Sequence, residues 1–258
     1  MNLDIISIIS KKLSLRNQQV ENTIKLLDQG ATIPFISRYR KEKTGSLDEV
    51  VIKAIQENYE ELQELVKRKE TILNTIEEQG KLTPQLKKSI EQCWDSTELE
   101  DIYLPYKPKR KTRATIAKEK GLEPLAQLLF EQKNIDVNKI AQNYVIEEVK
   151  TIEEALQGAR DIIAEWISES IPVRNEVRNQ FDKYAILTTR VVKDKEVEGE
   201  KYKDYFSYQE PLQRCAAHRL LAILRAESEG IIRINVAPEE EKTIKNLNKI
   251  VLKGYNAC

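Results

Sequence analysis

The sequence has few of the residues that build catalytic or metal sites. It contains one histidine, His218, and three cysteines that lie far apart, Cys93, Cys215 and Cys258. No two cysteines have the spacing of metal ligands, and an odd number of cysteines makes a poor disulfide framework. Walker, dinucleotide-binding and HExxH motifs are absent as well. We therefore expect free thiols, a structural role for His218, no cofactor, no metal site and no enzymatic activity.

The sequence also lacks an excess of one charge and any long apolar run. Its 42 basic and 42 acidic residues cancel, so a nucleic-acid site would have to be a local basic patch. No stretch approaches the roughly 20 apolar residues of a membrane span. The apolar run from Ile5 to Ile9 is too short for a signal peptide, and Lys11 and Lys12 follow it. These absences predict a soluble, cytoplasmic protein with no membrane partner.

Glycine and proline are scarce, with eight of each, while charged residues make up 33% of the chain. This composition favours a mainly α fold with long exposed helical faces. The strongest helical pattern lies between Ser46 and Gly80, where apolar residues recur at steps of three and four. Ser46 and Glu49 are spaced as a capping box, and Lys69 occupies one of the expected apolar positions. We predict about thirty residues of helix here, packed within the chain rather than in a free coiled coil.

Further helices are expected after several polar residues that are suited to cap a first turn: Ser14, Thr83, Thr97 and Thr151. A last long helix is expected at about 211–227, and residues 193–204 are interpreted as a solvated loop. A minor β element is predicted from the β-branched runs near 186–192 and 231–236. Because a single strand leaves its backbone groups unpaired, the second run must pair either with 186–192 or with chain beyond Cys258.

Two basic segments could contact nucleic acid. Residues 30–50 carry Arg38, Arg40, Lys41 and Lys43 beside Phe35 and Tyr39. The second segment lies just after two further tyrosines, Tyr103 and Tyr106, and carries Lys107, Lys109, Arg110, Lys111 and Arg113. These cations could neutralise phosphates while Tyr39, Tyr103 or Tyr106 stacks on bases. For 30–50 we favour the alternative that Arg38 and Arg40 pair with acidic residues of adjacent helices, because the aromatic and apolar residues of this segment interleave as in a buried turn. For 107–113 we favour phosphate contact, because prolines and lysines together suggest an exposed segment.

Three stretches of this sequence resemble the Tex family of bacterial transcription accessory proteins. They are GATIPFISRYRKEKTGSLDE at 30–49, LEDIYLPYKPKRKTRATIAKEKGLEPLA at 99–126 and HRLLAILRAESEGIIRINV at 218–236. The resemblance implies an elongated array of helices with a helix-turn-helix-like part, in a cytoplasmic protein linked to transcription. It also implies binding of RNA or DNA without strong sequence preference, mainly through a C-terminal domain that this chain does not reach. Ala217 departs from the family, which tends to have serine before the histidine.

On this resemblance we expect residues 1–190 to form the family's N-terminal helical region. Residues 191–258 would then begin its central region, truncated before the RuvC-like domain. The function expected first is an accessory nucleic-acid-binding module. It would make backbone contacts through Lys107, Lys109, Arg110, Lys111 and Arg113, together with Arg38, Arg40 and Lys41. The alternative is a scaffold or protein-interaction region that supports the later domains or docks RNA polymerase or the ribosome.

Overall fold

A computed structural model of the chain describes residues 3–108 and 110–253. Lys109 and Cys258 therefore lie outside the described residues. The expected mainly α fold is confirmed, with one three-stranded antiparallel sheet among the described elements. The chain divides into two compact units after Lys107, called unit 1 and unit 2 below. The boundary expected between residues 190 and 191 follows the family's regions rather than compactness, and it stays a prediction.

Unit 1 is helical in all its described elements. Its α-helices are α1 (Leu3–Leu13), α2 (Asn17–Asp28), α3 (Ile33–Tyr39), α4 (Lys41–Thr44), α5 (Glu49–Glu78), α6 (Pro84–Gln92) and α7 (Ser96–Tyr103). A short 3-10 turn, Leu104–Tyr106, follows α7. The expected thirty-residue helix is confirmed as α5, and Gly80 lies just beyond its end with a positive φ of 65°. Glycine adopts this left-handed conformation at little cost, so it ends the helix there.

The residues that cap these helices are partly different from those expected. Asp48, and not Ser46, caps α5: its carboxylate accepts a free N–H of the first turn, that of Val51, at 2.8 Å. Ser46 has a φ of 63°, which excludes the extended conformation that an N-cap needs. Asp95 replaces Thr97 as the cap of α7, and Ser14, also left-handed, does not cap α2. The caps predicted at Thr83 and Thr151 are confirmed.

The apolar stripe of α5 contributes to both hydrophobic clusters of unit 1. Its first half packs with α1, α2 and α3 through fully buried Ile52 and Ile55. Its second half packs with α6 and α7 through Ile72 and Ile76, which are equally buried. Burying a large aliphatic side chain contributes about 1.5–3 kcal/mol, so this one helix holds both clusters in place.

Unit 2 combines helices with the sheet. Its α-helices are α8 (Arg113–Glu119), α9 (Glu123–Phe130), α10 (Val137–Gln142), α11 (Ile152–Glu169), α12 (Ile171–Tyr184), α13 (Ala217–Ser228) and α14 (Glu240–Val251). Its strands are β1 (Ile186–Val191), β2 (Gln209–Pro211) and β3 (Ile232–Ala237). Two 3-10 turns, Glu200–Tyr205 and Leu212–Arg214, lie before and after β2.

Small residues let α8, α9 and α11 pack closely. Ala155, Gly158 and Ala159 of α11 are buried against α8 and α9. A Cβ on Gly158 would stand 2.3 Å from Leu122 and 3.2 Å from the Cβ of Ala117. An alanine at 158 would therefore force Leu122 and Ala117 to shift, so glycine is favoured there by the approach of these elements and not by its own backbone conformation.

The sheet decides between the two pairings that the sequence left open. β3 pairs antiparallel with β1, with Leu187 opposite Val236 and Thr189 opposite Ile234. β2 pairs with the other edge of β1 and was not predicted. The last long helix was expected to begin at about residue 211, but Pro211 ends β2, Leu212–Arg214 form a 3-10 turn, and the helix begins instead at Ala217. The solvated loop expected at 193–204 is wrong in part, because Tyr202 is buried in the cluster beneath the sheet.

Lys69 is buried in the apolar stripe of α5, with a residual exposure of 6%. Its ammonium group donates a hydrogen bond to the carbonyl of Glu91 at 2.8 Å and lies 3.7 Å from the ring centre of Trp94. Burial lowers the pKa of Lys69, and the nearby Cys93, Asp4 and Glu91 oppose that change only in part. A lysine is tolerated at this apolar position because a carbonyl and an indole face receive its charge.

We expect Lys69→Met to leave unit 1 folded and to change how its stability depends on pH. In the unfolded chain Lys69 keeps its proton up to about pH 10.5, whereas in the folded chain it loses it earlier. The unfolded state then binds more protons between these two pKa values, so wild-type stability rises with pH across that window. Urea unfolding of both proteins should be measured from neutral pH to pH 10.5. The free energy of unfolding of the wild type should rise with pH relative to that of Lys69→Met.

Lys67→Met is the matched control, because Lys67 is an exposed lysine on the same helix. It should follow the wild type at every pH. A wild-type protein that loses stability relative to Lys69→Met as pH rises would contradict a lowered pKa for Lys69.

Candidate nucleic-acid interface

The 30–50 segment places two aromatic side chains in solvent. In α3, Ile36 and Ser37 point inward and are buried, while Phe35 and Tyr39 are 40% and 65% exposed. Phe35 and Tyr39 are four residues apart, so they share one face of the helix, and their ring centres are 5.5 Å apart. The interpretation of this segment as a buried turn is therefore wrong for its aromatic residues.

Cations surround this aromatic pair. The guanidinium of Arg40 lies 5.2 Å from the ring centre of Phe35. Arg38 reaches Glu49 only at 3.8 Å, and both side chains are at least half exposed, which makes this a weak ion pair. Lys41 and Lys43 are exposed, as is the one acidic residue between them, Glu42. We call this set the aromatic–cation surface; its members are Phe35, Arg38, Tyr39, Arg40, Lys41 and Lys43.

Two polar side chains of α2 hold the basic end of this surface in place. Asn22 donates a hydrogen bond to the carbonyl of Lys43 at 2.7 Å, and Gln19 donates to the carbonyl of Thr44 at 3.1 Å. These bonds satisfy carbonyls at the end of α4, which a four-residue helix leaves without intrahelical partners. Gly45 follows with a φ of 69°, and a Cβ there would lie 2.6 Å from the Gln19 amide nitrogen. The position of the cations therefore depends on α2.

A depression of about 490 Å³ lies beside the aromatic–cation surface. It is bounded by Phe35, Arg40 and Lys43 on one side and by the turn from Gln29 to Thr32 on the other. Because Arg40 and Lys43 line it, an anionic group could enter it and meet a guanidinium and an ammonium together.

The 107–113 segment crosses the division between the two units, which falls after Lys107. In unit 1, Lys107 is exposed. In unit 2, Arg110 and Arg113 are exposed and have no ion-pair partner among the described residues, whereas Lys111 pairs with Glu119 at 2.9 Å. Lys109 lies outside the described residues. Three of the four described cations of this segment thus remain available to an anion.

Thr112 anchors the part of the 107–113 segment that lies in unit 2. It caps α8 by accepting the N–H of Thr115 at 3.0 Å and contacts Glu165 of α11 at 3.3 Å. Lys118 also binds Glu165, at 2.7 Å. Lys118 is therefore engaged within the fold.

One of the tyrosines expected to stack on bases cannot do so. Tyr103 is 6% exposed, and the guanidinium of Arg68 lies 5.3 Å from its ring centre. Arg68 is itself held by Glu100 at 2.6 Å, and this hydrogen bond lowers the pKa of the Glu100 carboxyl. Tyr106 is half-buried against the same cluster. Among the three tyrosines named from the sequence, Tyr39 is the exposed one.

Phe35 was not predicted to contact nucleic acid, and Tyr39 and Lys43 were named as candidates but left out of the final set of contact residues. The structure groups all three with Arg38, Arg40 and Lys41. The spacing of Phe35 and Tyr39 by four residues was the signal that could have grouped them, because it places both on one helical face. Their exposure could not be predicted from the sequence, because it depends on which face of α3 packs against α5.

Among the described residues, no helix is long and apolar enough to cross a membrane. No three histidine, cysteine or acidic side chains among them gather as a metal site would require. His218 is exposed near the start of α13.

Comparison with known proteins identifies two regions. A model of the Tex-like protein N-terminal domain matches residues 3–77, and a model described as Tex central region-like matches residues 132–256. The chain is 44% identical over 241 residues to the transcriptional accessory protein Tex of Neisseria gonorrhoeae, covering 93% of this chain and 32% of that protein. It is 43% identical over 238 residues to protein YhgF of Escherichia coli K12, covering 92% and 31% respectively.

A more distant relative is the S1 RNA-binding domain-containing protein 1 of Homo sapiens. It is 28% identical over 248 residues, which cover 92% of this chain and 24% of that protein. The chain thus spans about a third of the length of the bacterial relatives described here.

We expect Gly45→Ala to destabilise unit 1 more than Gly30→Ala does. Both glycines have a positive φ, and a non-glycine residue in this region costs roughly 1–2 kcal/mol. A Cβ at 45 would also press on Gln19, while at 30 it would meet nothing within 4 Å. Urea unfolding midpoints of the two variants measure the difference. Equal destabilisation would show that Gln19 yields freely and does not fix α4.

Proposed function

This chain belongs to the Tex family, and on that premise we propose that it is a non-enzymatic, cytoplasmic nucleic-acid-binding module of a transcription accessory protein. It would contact the phosphate backbone of RNA or DNA without reading sequence. The residues proposed to carry this function are those of the aromatic–cation surface in unit 1 and the cations of 107–113.

The aromatic–cation surface is the observation that carries the proposal. Proteins that bind single strands combine cations along the backbone with aromatic faces on which bases stack. Phe35 and Tyr39 offer such faces beside Arg38, Arg40 and Lys41. An aromatic pair of this exposure contributes little to the core, so its burial does not explain its presence. A stacked base would cover apolar surface that water now contacts.

Binding without sequence preference follows from the chemistry of these groups. Ammonium groups are compact point charges, and most of these side chains are long and exposed, which suits contact with phosphates rather than a fixed pattern of base edges. The chain has no net charge, so the attraction must come from the local cations alone. We therefore expect moderate affinity with a steep dependence on salt.

The cations of 107–113 also support the proposal, but less strongly than the aromatic–cation surface does. Lys107, Arg110 and Arg113 are exposed and unpaired among the described residues, as phosphate contacts require. Lys111 is partly neutralised by Glu119. The name of the human relative, an S1 RNA-binding domain-containing protein, supports the ligand class, although only 24% of that protein is covered.

A scaffold role is the second candidate, and α5 favours it. This helix of 30 residues carries two hydrophobic clusters and leaves Val50 76% exposed near its start. Such a helix could support further domains or dock RNA polymerase or the ribosome. In that case the exposed cations of 107–113 would face acidic protein surface rather than phosphate.

We expect Tyr39→Ala to weaken binding to a single-stranded oligonucleotide by about 5- to 150-fold, because loss of one stacked base costs roughly 1–3 kcal/mol. Tyr39→Phe keeps the ring and should bind like the wild type. Fluorescence anisotropy with labelled single- and double-stranded oligonucleotides measures both. No binding by the wild type at low salt, or equal binding by Tyr39→Ala, would contradict a stacking role for this surface.

Replacing Lys107, Arg110, Lys111 and Arg113 together by glutamine separates the two candidate functions. If these cations bind phosphates, the slope of log K against log salt should fall in magnitude by about 0.7 for each single-strand phosphate that is no longer neutralised. If they instead dock protein, the slope should stay unchanged, and a pull-down of RNA polymerase or ribosomes should fail. Replacing the exposed Lys53, Lys67, Lys87 and Lys88 by glutamine is the control of equal charge.

A further inference from the structure

Unit 2 contains a cleft that none of the predicted site residues enters. It has a volume of about 1080 Å³ and lies between the second half of α12, the turn after β2 and one face of α14. Ile186 at the start of β1 and Pro211 at the end of β2 also line it. Most of its lining side chains are exposed, so the cleft opens to solvent. Its volume slightly exceeds the range of about 300–1,000 Å³ that is usual for small-molecule pockets.

The cleft is lined by more cations than carboxylates. Its cations are Lys183, Arg214, Lys242, Lys245 and Lys249, and its carboxylates are Glu176 and Glu239. Glu239 already pairs with Lys242 at 2.5 Å, and Glu176 accepts a hydrogen bond from Gln180 at 2.6 Å. The four other cations have no ion-pair partner among the described residues. In a chain with no net charge, this is a local excess of positive charge.

One face of α14 carries three lysines. Lys242, Lys245 and Lys249 are three and four residues apart, so they lie on one side of the helix. Glu239 pairs with Lys242, and the like charges of Lys245 and Lys249 weakly oppose each other. That side faces the cleft, where α14 also presents Asn246 and Ile250. A helix face turned toward its own domain is usually apolar. The repulsion of these lysines would be relieved by an anion in the cleft.

Tyr184 adds an aromatic face to this site. It is the last residue of α12, lines the cleft and is 60% exposed. Side-chain amides from Asn179, Gln213 and Asn246 also line the cleft. Gln213 already donates to the carbonyl of Asp182 at 2.6 Å and Asn179 to Glu176 at 3.5 Å, which leaves the Asn246 amide as the more available donor. Cations, donors and a free aromatic ring are the groups that hold a single strand by its phosphates and bases. A base can stack on Tyr184 only if its own face is free, which is so in a single strand and not within a duplex.

We infer that this lysine cleft, formed by α12, α14 and the end of β2, binds single-stranded nucleic acid. Lys183, Arg214, Lys245 and Lys249 contact its phosphates, and Tyr184 stacks on a base. The inference shares its ligand class with the proposed function but none of its residues, so either can fail alone.

The first experiment measures the affinity of the full chain for a labelled single strand of about 15 nucleotides, at about 50 and about 200 mM salt. The variant Lys183→Gln, Lys245→Gln, Lys249→Gln should bind on the order of tenfold more weakly at low salt, with the salt slope reduced by about two. The control Lys139→Gln, Lys150→Gln, Lys193→Gln makes the same charge change at exposed lysines of unit 2 outside the cleft. It should bind like the wild type.

The cleft variant should unfold at no lower a temperature than the wild type, because it removes repulsion and breaks no ion pair among the described residues. Equal weakening of binding in the cleft and control variants would overturn the inference. A third variant, Arg38→Gln, Lys41→Gln, Lys43→Gln, is measured in parallel. If it binds normally while the cleft variant does not, the proposed surface fails and the cleft stands.

A second experiment locates the strand. A single strand carrying iodouracil should cross-link to Tyr184 on irradiation, and the same sequence in a duplex should not. Tyr184→Ala should weaken single-strand binding, and Tyr184→Phe, which keeps the ring, should bind like the wild type. Cross-links only outside the cleft would overturn the assignment. The assignment would also be overturned if poly-glutamate displaced the labelled strand as well as unlabelled single strand does at the same concentration of charge. The cleft would then be a general anion-binding surface.

Discussion

Each unit of this protein depends on burying the apolar stripe of one helix. In unit 1 the stripe belongs to α5, whose two halves hold two separate clusters. α3 packs on the first half, so the direction of the aromatic pair on α3 follows from the burial of Ile36 against α5. In unit 2 the corresponding helix is α11, whose small residues admit α8 and α9. The exposed cations of Arg110 and Arg113 stand at the start of that packed assembly.

Charge neutrality governs how this chain can recognise an anion. With 42 residues of each sign, attraction at a distance is weak, and binding must arise where cations outnumber the acidic residues beside them. The structure shows such a local excess at three places. Glu119 neutralises one lysine of 107–113, Glu49 reaches Arg38 only weakly, and Glu239 neutralises one lysine of the cleft. The cations left over are local, and their effect depends on geometry more than on number.

The sequence predicted where the helices lie more accurately than the residue at which each one begins. Periodicity identified α5 over its full length because a long apolar stripe has few alternatives. Its cap was misassigned, since Asp48 and Ser46 are both suitable and only the backbone conformation of Ser46 excludes it. β2 escaped prediction because three residues carry too little pattern, and it forms only because β1 offers an edge. Lys69 occupies a position where the pattern of α5 predicts an apolar residue. Its partners Glu91 and Trp94 are far from it in sequence, so no local pattern could reveal them.

The sequence by itself determined the mainly α class, the family and the two basic segments, because these depend on composition, periodicity and contiguous residues. Tertiary structure alone decided which of those side chains meet solvent. Tyr103 and Tyr39 stand in similar basic contexts, yet one is buried against Arg68 and the other is exposed beside Phe35. The lysine cleft was likewise invisible, since Lys183 and Lys249 are distant in sequence and are brought together only when α14 packs on α12. Exposure and proximity are properties of packing, which no local pattern contains.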